Sequence, residues 1–250
     1  VEESKWVQSL VNEGQSDVKA IVGSCDLGDE ENIEECLALL NVSSPIVRGV
    51  RWMLDLRNDK DYLRGGENGT VIPAFEKGYA SLAKYNMSFD LQCAPAQLLA
   101  AADMISRHPN IPVVIDHLGK PRLLLGSDSN NKEPDKDALK EWREGMQAMA
   151  NLPHVYVKIS MLGYIVPDWI LSPAREKVIR DVVLDTVKKF GPERCMIATN
   201  WWLNPSRSDN DGLGTVGPSA LGLVGNMSTW FQEFSDEEKD WMFAKTAEKF

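Results

Sequence analysis

The chain has 250 residues, of which 26% are charged and 43% hydrophobic, and its formal net charge is −10. This length fits one α/β barrel or two smaller domains, with a sizeable core. The negative charge argues against nucleic acid or an anionic membrane as a partner, because both attract basic patches. No apolar run approaches the roughly 20 residues that a membrane span needs, so no span is predicted.

Apolar, strand-like runs alternate along the chain with amphipathic, helix-like segments. The first segment, KWVQSLVNEG, predicts a helix with Trp6, Val7, Leu10 and Val11 on one face. Strands are predicted at 18–25, 47–54, 87–93, 111–118, 155–162 and 193–202. Helices are predicted between them, and two more close the chain around TWFQEF and EEKDWMFAKTAEKF. Strands that alternate with helices of this length predict βαβ units and a parallel sheet.

Six strands leave two architectures open, a doubly wound open sheet and a (β/α)₈ barrel. The Gly-rich dinucleotide fingerprint and the phosphate-binding P-loop are both absent from the sequence. The carboxyl ends of the strands of a barrel converge on one mouth. Charged and polar residues lie at or near these predicted strand ends: Arg51, Asp90, Asp116, His117, Lys158 and Asn200. The predicted fold class is therefore α/β, a (β/α)₈ TIM-type barrel with only six of its eight strands evident in this chain.

The stretch IPVVIDHLGKP contains the main candidate for chemistry. Its apolar run ends in Asp116 and His117 before Gly119, which predicts a buried strand with His117 at the carboxyl end. The alternative is a core histidine that is bonded to a backbone group. Since His108 ends a helix and His154 precedes a strand in a Pro-His turn, neither is predicted to be catalytic.

Cysteines and sequons give weak information about the compartment. Cys25, Cys36, Cys93 and Cys195 form no CxxC pair, and three of them lie in apolar runs or at the ends of such runs, so a small buried hydrophobe is the favoured interpretation. No signal peptide is recognisable and a cytoplasmic location is predicted, although secretion stays open because of sequons at Asn41, Asn68, Asn86 and Asn226. The chain starts without Met in helix-like sequence, which is consistent with a missing natural beginning.

Several of these segments together resemble the amidohydrolase-related (amidohydrolase 2) family, and within it the branch of sugar-lactone and 2-pyrone-4,6-dicarboxylate lactonases. VRGVRWML is similar to that branch's strand with a substrate-binding Arg, here Arg51. FDLQCAPAQLLAAADMISRHPNIPVVIDHLGKP resembles its most specific run, from the FDL strand to the DHxGKP strand end. VYVKISML is similar to its seventh strand, and ERCMIATNWW stands where the family has a last strand ending in G-[ST]-D-W. The resemblance covers nearly the whole chain.

The sequence departs from the family pattern in two places. The family's first strand with H-x-H and its second strand are not found, so residues 1–250 are predicted to form one amidohydrolase-like barrel domain that lacks strands one and two. A missing N-terminal segment, a partner chain or a displaced strand is expected to cover the open barrel edge. The second departure is Asn200, which stands where the family has the Asp that activates the hydrolytic water. An amide has no basic site that could take this proton.

The resemblance implies roles for two catalytic candidates. His117 is expected to polarise a carbonyl or to hold water, and Asn200 is expected to handle the water. A zinc ion needs three or four ligands, and this chain offers one His and one amide or carboxylate at the mouth. No metal site is therefore predicted, and a divalent metal such as zinc is expected only if missing N-terminal ligands are supplied. Since some lactonases of this branch work without metal, its absence would not exclude hydrolysis.

The resemblance also implies substrate-binding residues. Arg51 is expected to bind a substrate carboxylate or lactone oxygen, with a structural ion pair as the alternative. Asp90 and Asp116 are expected to orient Arg51 or His117. Two further side chains are predicted to contact the substrate, Lys158 on one face of its strand and Trp201, for which capping of the barrel is the alternative.

The function predicted from this resemblance is a lactonase-like hydrolase of the amidohydrolase superfamily. It would open a small sugar or dicarboxylate lactone and bind a lactone or carboxylate as its small-molecule partner. The alternative is a catalytically inactive relative that serves as a binding or structural subunit. The absence of the H-x-H strand and of the acid at position 200 favours this alternative, so activity itself stays open.

Overall fold

The structure, a computed structural model, describes residues 1–55, 60–122, 124–125, 133–167, 169–200 and 219–250. Among these residues lie six strands, at β1 Ile21–Ser24, β2 Val47–Met53, β3 Ser88–Gln92, β4 Val113–Ile115, β5 Val155–Ile159 and β6 Cys195–Ile197. In the sheet each strand is hydrogen-bonded to the next along the chain. The pairs β1–β2, β2–β3 and β5–β6 are parallel. The predicted α/β class with a parallel sheet of six strands is confirmed.

Helices separate the strands as predicted. They lie at α1 Glu2–Asn12, α2 Ile33–Ser43, α3 Pro73–Ser81, α4 Leu98–Ser106, α5 Lys136–Ala150, α6 Leu162–Ile165, α7 Pro173–Phe190, α8 Ala220–Trp230, α9 Asp236–Asp240 and α10 Thr246–Lys249. Their ends follow local chemistry, since α3 and α7 begin with a proline and the Asp135 side chain caps α5. No helix in these described ranges is long and apolar enough to cross a membrane.

Several strands are shorter than the sequence predicts. The strand predicted at 111–118 is extended only from Val113 to Ile115, because His117 and the residues after it have positive φ and cannot continue a strand. Among the described residues the last strand stops at Ile197, so Asn200 follows the strand end instead of lying within the strand. Asp90 lies in the middle of β3 rather than near its end.

The first of two compact units comprises Val1–Cys93 and Leu99–Val114. An aromatic cluster fills its core, where the Tyr79 ring lies edge-on to Phe89, with 5.5 Å between centroids. At Gly78, helix α3 lies so close to the backbone of Leu27 that an added Cβ would lie 2.0 Å from the Leu27 carbonyl oxygen. Burial raises the pKa of the Tyr79 hydroxyl above its usual range.

Helix α1 leaves part of its predicted apolar face exposed. Trp6 is 61% exposed, and Ser4 is the buried residue of this helix. The helix instead contacts the end of α2 through a polar pair, because Ser44 Oγ donates to Gln8 Oε1 at 2.6 Å. The apolar face that contains Trp6 is therefore not fully buried.

The cysteines divide into two pairs. Cys25 and Cys36 form a disulfide with 6.5 Å between their Cα atoms, because the loop after β1 returns to the first turns of α2. Cys25 is buried as predicted, but the sequence did not predict its disulfide with Cys36. Cys93 and Cys195 are buried and are not disulfide-bonded, and burial raises the pKa of the Cys195 thiol.

The second unit comprises Ala94–Leu98 and Ile115–Phe250. In this unit the burial of the side chains alternates along strand β5, as the two-residue period of a strand requires. Val155, Val157 and Ile159 are buried and Lys158 is half-buried. The Arg194 guanidinium donates to backbone carbonyls that include that of Val155, at 3.1 Å, and so ties α5 and α7 to the strand layer. This unit contains His117 and Asn200.

Three predictions about the chain as a whole stay predictions. The strand order puts β1 at an edge of the sheet, which is where a covering segment or partner chain is predicted. The single barrel domain over residues 1–250 and the cytoplasmic location are likewise untested.

Candidate active site

The site is built on a left-handed turn at the end of β4. Four consecutive residues have positive φ, with 55° at His117, 58° at Leu118, 68° at Gly119 and 52° at Lys120. A non-glycine residue in this region costs about 1–2 kcal/mol, so the turn stores strain at the position where His117 is presented. Backbone strain that the surrounding structure enforces is typical of functional sites.

Neighbouring side chains hold this turn in place. The Trp142 indole donates from Nε1 to the Leu118 carbonyl oxygen at 2.7 Å, and both side chains are fully buried. At Gly119 an added Cβ would lie 2.9 Å from Met146 Sδ, so glycine serves both the conformation and the packing. The turn is therefore fixed by helix α5 and not by its own sequence alone.

His117 is hydrogen-bonded to the end of the next strand. Its Nδ1 lies 2.7 Å from Ser160 Oγ, and the side chains are 8% and 0% exposed respectively. The imidazole also lies edge-on to the Tyr164 ring, with 6.2 Å between centroids. The hydrogen bond at Nδ1 is therefore to a side-chain hydroxyl, and the alternative of a core histidine that is bonded to a backbone group stays a prediction.

Asp116 is paired with the same strand. Lys158 Nζ lies 3.0 Å from Asp116 Oδ1, and the Asp116 side chain is only 1% exposed. Since Lys158 and Ser160 are two residues apart, they lie on the same face of the chain and contact successive residues of the turn. The ion pair and the histidine hydrogen bond together lock the turn against β5.

Replacing Lys158 by Met tests the ion pair. We expect Lys158→Met to lower the free energy of unfolding by about 2 kcal/mol, because the buried Asp116 carboxylate loses its cation. The measurement is urea unfolding, with Lys140→Met as the matched control. Lys140 is 74% exposed and lies 3.9 Å from Glu144, so its loss should cost less than about 0.5 kcal/mol. Equal losses in the two variants would contradict a structural role for the buried pair.

Two further cationic side chains lie against the Tyr164 ring. Lys120 Nζ lies 5.1 Å and the Arg122 guanidinium 5.4 Å from the centroid of the Tyr164 ring. The Lys120 side chain is only 2% exposed. Lys120 and Arg122 therefore lie against the ring that contacts His117, and Lys158 lies against Asp116. Cationic side chains of this kind suit a ligand with a carboxylate or another electron-rich oxygen.

Asn200 follows the last strand of the same unit. Ala198 N donates to the Ile159 carbonyl oxygen at 3.2 Å, which holds the chain after β6 beside the end of β5. Asn200 has a φ of 48°, and within the described part of the chain its buried Oδ1 accepts no hydrogen bond. The ends of β5 and β6 are therefore each followed by a left-handed residue, Met161 and Asn200.

Arg51 and Asp90 belong to the first unit. They are partners in the register of β2 and β3, so their side chains leave the same face of the sheet. Asp90 is 1% exposed, whereas Arg51 is exposed. This register agrees with the expectation that Asp90 orients Arg51, but their roles towards a substrate stay predictions. Trp201 lies outside the described residues.

Comparison with known proteins identifies the family. The sequence profile described as "Amidohydrolase" matches residues 12–250. The chain belongs to the amidohydrolase family. An L-fucono-1,5-lactonase of Burkholderia multivorans is 30% identical over 129 residues, which are 51% of this chain and 41% of that protein. The resemblance inferred from the DHxGKP run is thereby confirmed.

Solved structures of amidohydrolases share the fold. A zinc-bound amidohydrolase of Burkholderia multivorans has a TM-score of 0.75 at 24% identity, over 99% of this chain and 78% of that one. A putative 2-pyrone-4,6-dicarboxylic acid hydrolase of Pseudomonas putida has a TM-score of 0.60 at 17% identity, over 98% and 76%. At these identities the similarity shows the fold alone. This amidohydrolase chain spans between 41% and 65% of the length of the curated relatives that it matches.

The described residues of this amidohydrolase do not fit a catalytic metal ion. Within these ranges no group of three His, Cys, Asp or Glu side chains could hold one. His117 Nδ1 is hydrogen-bonded to Ser160, and the Asp116 carboxylate lies beside Lys158. A nearby ammonium group opposes the binding of a second cation, so no chemical step is assigned to a metal. Metal binding through ligands supplied from elsewhere stays a prediction.

Sequence reasoning missed Ser160, Tyr164, Lys120 and Arg122. A signal for Ser160 was present, because it follows Lys158 by two residues and so shares its strand face. Lys120 stood within the recognised DHxGKP run without being given a role. Tyr164 had no usable signal, since α6 is a single turn that the pattern of apolar residues does not predict.

Proposed function

We propose that this chain is part of a lactonase-like hydrolase that opens a small sugar or dicarboxylate lactone. The observation that carries the proposal is the nearly buried His117 imidazole, which a strained turn and the Ser160 hydroxyl hold in one orientation. The similarity to an L-fucono-1,5-lactonase supports the substrate class.

The charges around His117 suit this reaction. Opening a lactone converts a neutral ester into a carboxylate, so negative charge develops on the acyl oxygens. Lys120, Arg122 and Lys158 place positive charge on this part of the unit, where it would stabilise that change. Asp116 would offset part of this charge and keep Lys158 in position.

His117 would polarise the lactone carbonyl by a hydrogen bond, and Asn200 would hold the attacking water. The Asn200 amide can donate and accept hydrogen bonds but cannot take the proton from water at neutral pH. Substrate contacts by Arg51, Asp90 and Trp201 are part of the proposal. Water attack without a general base is slow, so the expected activity is low.

Asn200 also favours a second candidate function. In this reading the chain is an inactive relative that binds a lactone or its hydroxy acid without turnover. The cationic surroundings of His117 would serve binding alone, and the missing base would explain the absence of hydrolysis.

The two candidates are separated by measuring hydrolysis and binding on the same protein. The assay offers sugar 1,5-lactones and 2-pyrone-4,6-dicarboxylate and follows acid release, while titration calorimetry measures binding of the lactones and of their hydroxy acids. We expect saturable hydrolysis that is slow but faster than in a protein-free control. Binding without hydrolysis would support the inactive relative, and neither binding nor hydrolysis would contradict both candidates.

A further inference from the structure

Ser160 carries a buried hydroxyl that is hydrogen-bonded to His117. Its side chain is 0% exposed, and within the described part of the chain His117 Nδ1 is the group to which its Oγ is hydrogen-bonded, at 2.7 Å. The residue directly precedes Met161, which has a φ of 50°, so the chain turns away immediately after the hydroxyl is presented. The position of this group is therefore set by the end of β5.

The direction of this hydrogen bond follows from the chemistry of the two groups. A hydroxyl has one proton to donate, and leaving it without an acceptor in a buried place is unfavourable. Among the residues that the structure describes, His117 Nδ1 is the acceptor that Ser160 reaches. A neutral imidazole has one protonated nitrogen and one that accepts. If Nδ1 accepts from Ser160, the ring proton lies on Nε2.

We propose that Ser160 is a positioning residue that fixes the neutral His117 ring as the Nε2–H tautomer. In this form Nε2 donates a hydrogen bond, which is what polarisation of a lactone carbonyl requires. The catalytic consequence rests on the proposed function, whereas the tautomer itself does not. Nε2 then has no lone pair for a metal ion or for a proton from water, so His117 does not replace the base that is missing at position 200.

The tautomer is measured directly by NMR. The chain has three histidines, so each ring signal can be assigned by replacing one histidine at a time in ¹⁵N-labelled protein. Two-bond ¹H–¹⁵N correlation spectra distinguish the protonated ring nitrogen from the bare one. The spectra are recorded at a pH about two units above the ordinary imidazole pKa of about 6.5, where a ring is neutral.

We expect the His117 proton on Nε2 in the native protein. Ser160→Ala should shift the ratio of the two tautomers towards Nδ1–H by roughly tenfold, which is the effect of one ordinary hydrogen bond, and Ser160→Thr should restore the native ratio. The His108 and His154 signals serve as internal controls and should not change. A native His117 with its proton on Nδ1, or a ratio that Ser160→Ala leaves unchanged, would overturn the inference.

Measuring lactone hydrolysis by the same variants distinguishes a failure of the tautomer assignment from a failure of the proposed function. If the protein is a lactonase, Ser160→Ala should lower kcat more than it raises KM, and Ser160→Thr should recover it. If the NMR result is as expected but no variant hydrolyses any lactone, the tautomer assignment stands and the proposed activity fails.

Discussion

Asn200→Asp is expected to raise the rate of lactone hydrolysis by at least about a hundredfold, because general-base assistance is typically worth about 10²–10⁴ in rate. The change adds a carboxylate without adding an atom. It also suits the backbone, since Asp tolerates the φ of 48° that Asn200 adopts. The measurement is kcat/KM on the lactone panel for the full-length protein and its variant, with and without added divalent metal.

Asn151→Asp is the matched control for the added negative charge. Asn151 ends α5 in the same unit, is exposed and accepts a hydrogen bond from Gln147 that a carboxylate can also accept. Its replacement should leave the rate unchanged. Equal rates for native and Asn200→Asp protein would show that position 200 does not handle the water. A fast native enzyme would contradict the inactive relative and the need for a base at this position.

His117→Asn, made in the Asn200→Asp protein, is expected to lower kcat by about 10²–10³. This is the loss typical of removing one hydrogen-bond donor to a developing oxyanion. Asn is chosen because it tolerates the positive φ of 55° at this position, while its shorter amide does not reach as far as the imidazole. The double variant makes the loss measurable, since the native rate is expected to be low.

His108→Asn in the same background provides the control for loss of an imidazole. His108 lies in the first unit and its Nε2 is 3.1 Å from Glu76 Oε1, so its role is structural. The control should hydrolyse lactones at the rate of the Asn200→Asp protein. If His117→Asn changes the rate as little as His108→Asn does, His117 does not polarise the carbonyl and the proposed mechanism is wrong.

The sequence predicts the strand and helix order well because that order depends on local periodicity. Alternation along VYVKI predicts β5, and the buried residues Val155, Val157 and Ile159 follow it. Strand lengths are less predictable, as the strand predicted to 118 ends at Ile115. Nothing in the apolar run signals that Trp142, 24 residues further along, stabilises a left-handed turn there.

Some failures have the same origin in distant contacts. Trp6 lies on the apolar face predicted for α1, yet it is 61% exposed, and α1 contacts the end of α2 through the polar pair Gln8 and Ser44. Cys25 and Cys36 carry no pairing signal in their spacing, and only the loop after β1 brings their Cα atoms to 6.5 Å. The periodicity of apolar residues shows which face of a helix or strand is apolar. It does not show which other element packs against that face.

The sequence by itself determined the α/β class and the family, and it predicted His117 and Asn200 as site residues. It could do so because strand periodicity is local and because the DHxGKP run is specific. Only the tertiary structure decided what these residues contact. Asp116 meets Lys158 and His117 meets Ser160 across 42 and 43 positions of sequence, through a turn whose strain is sustained by packing against α5. Such contacts depend on the simultaneous placement of several elements, and no local pattern encodes that placement.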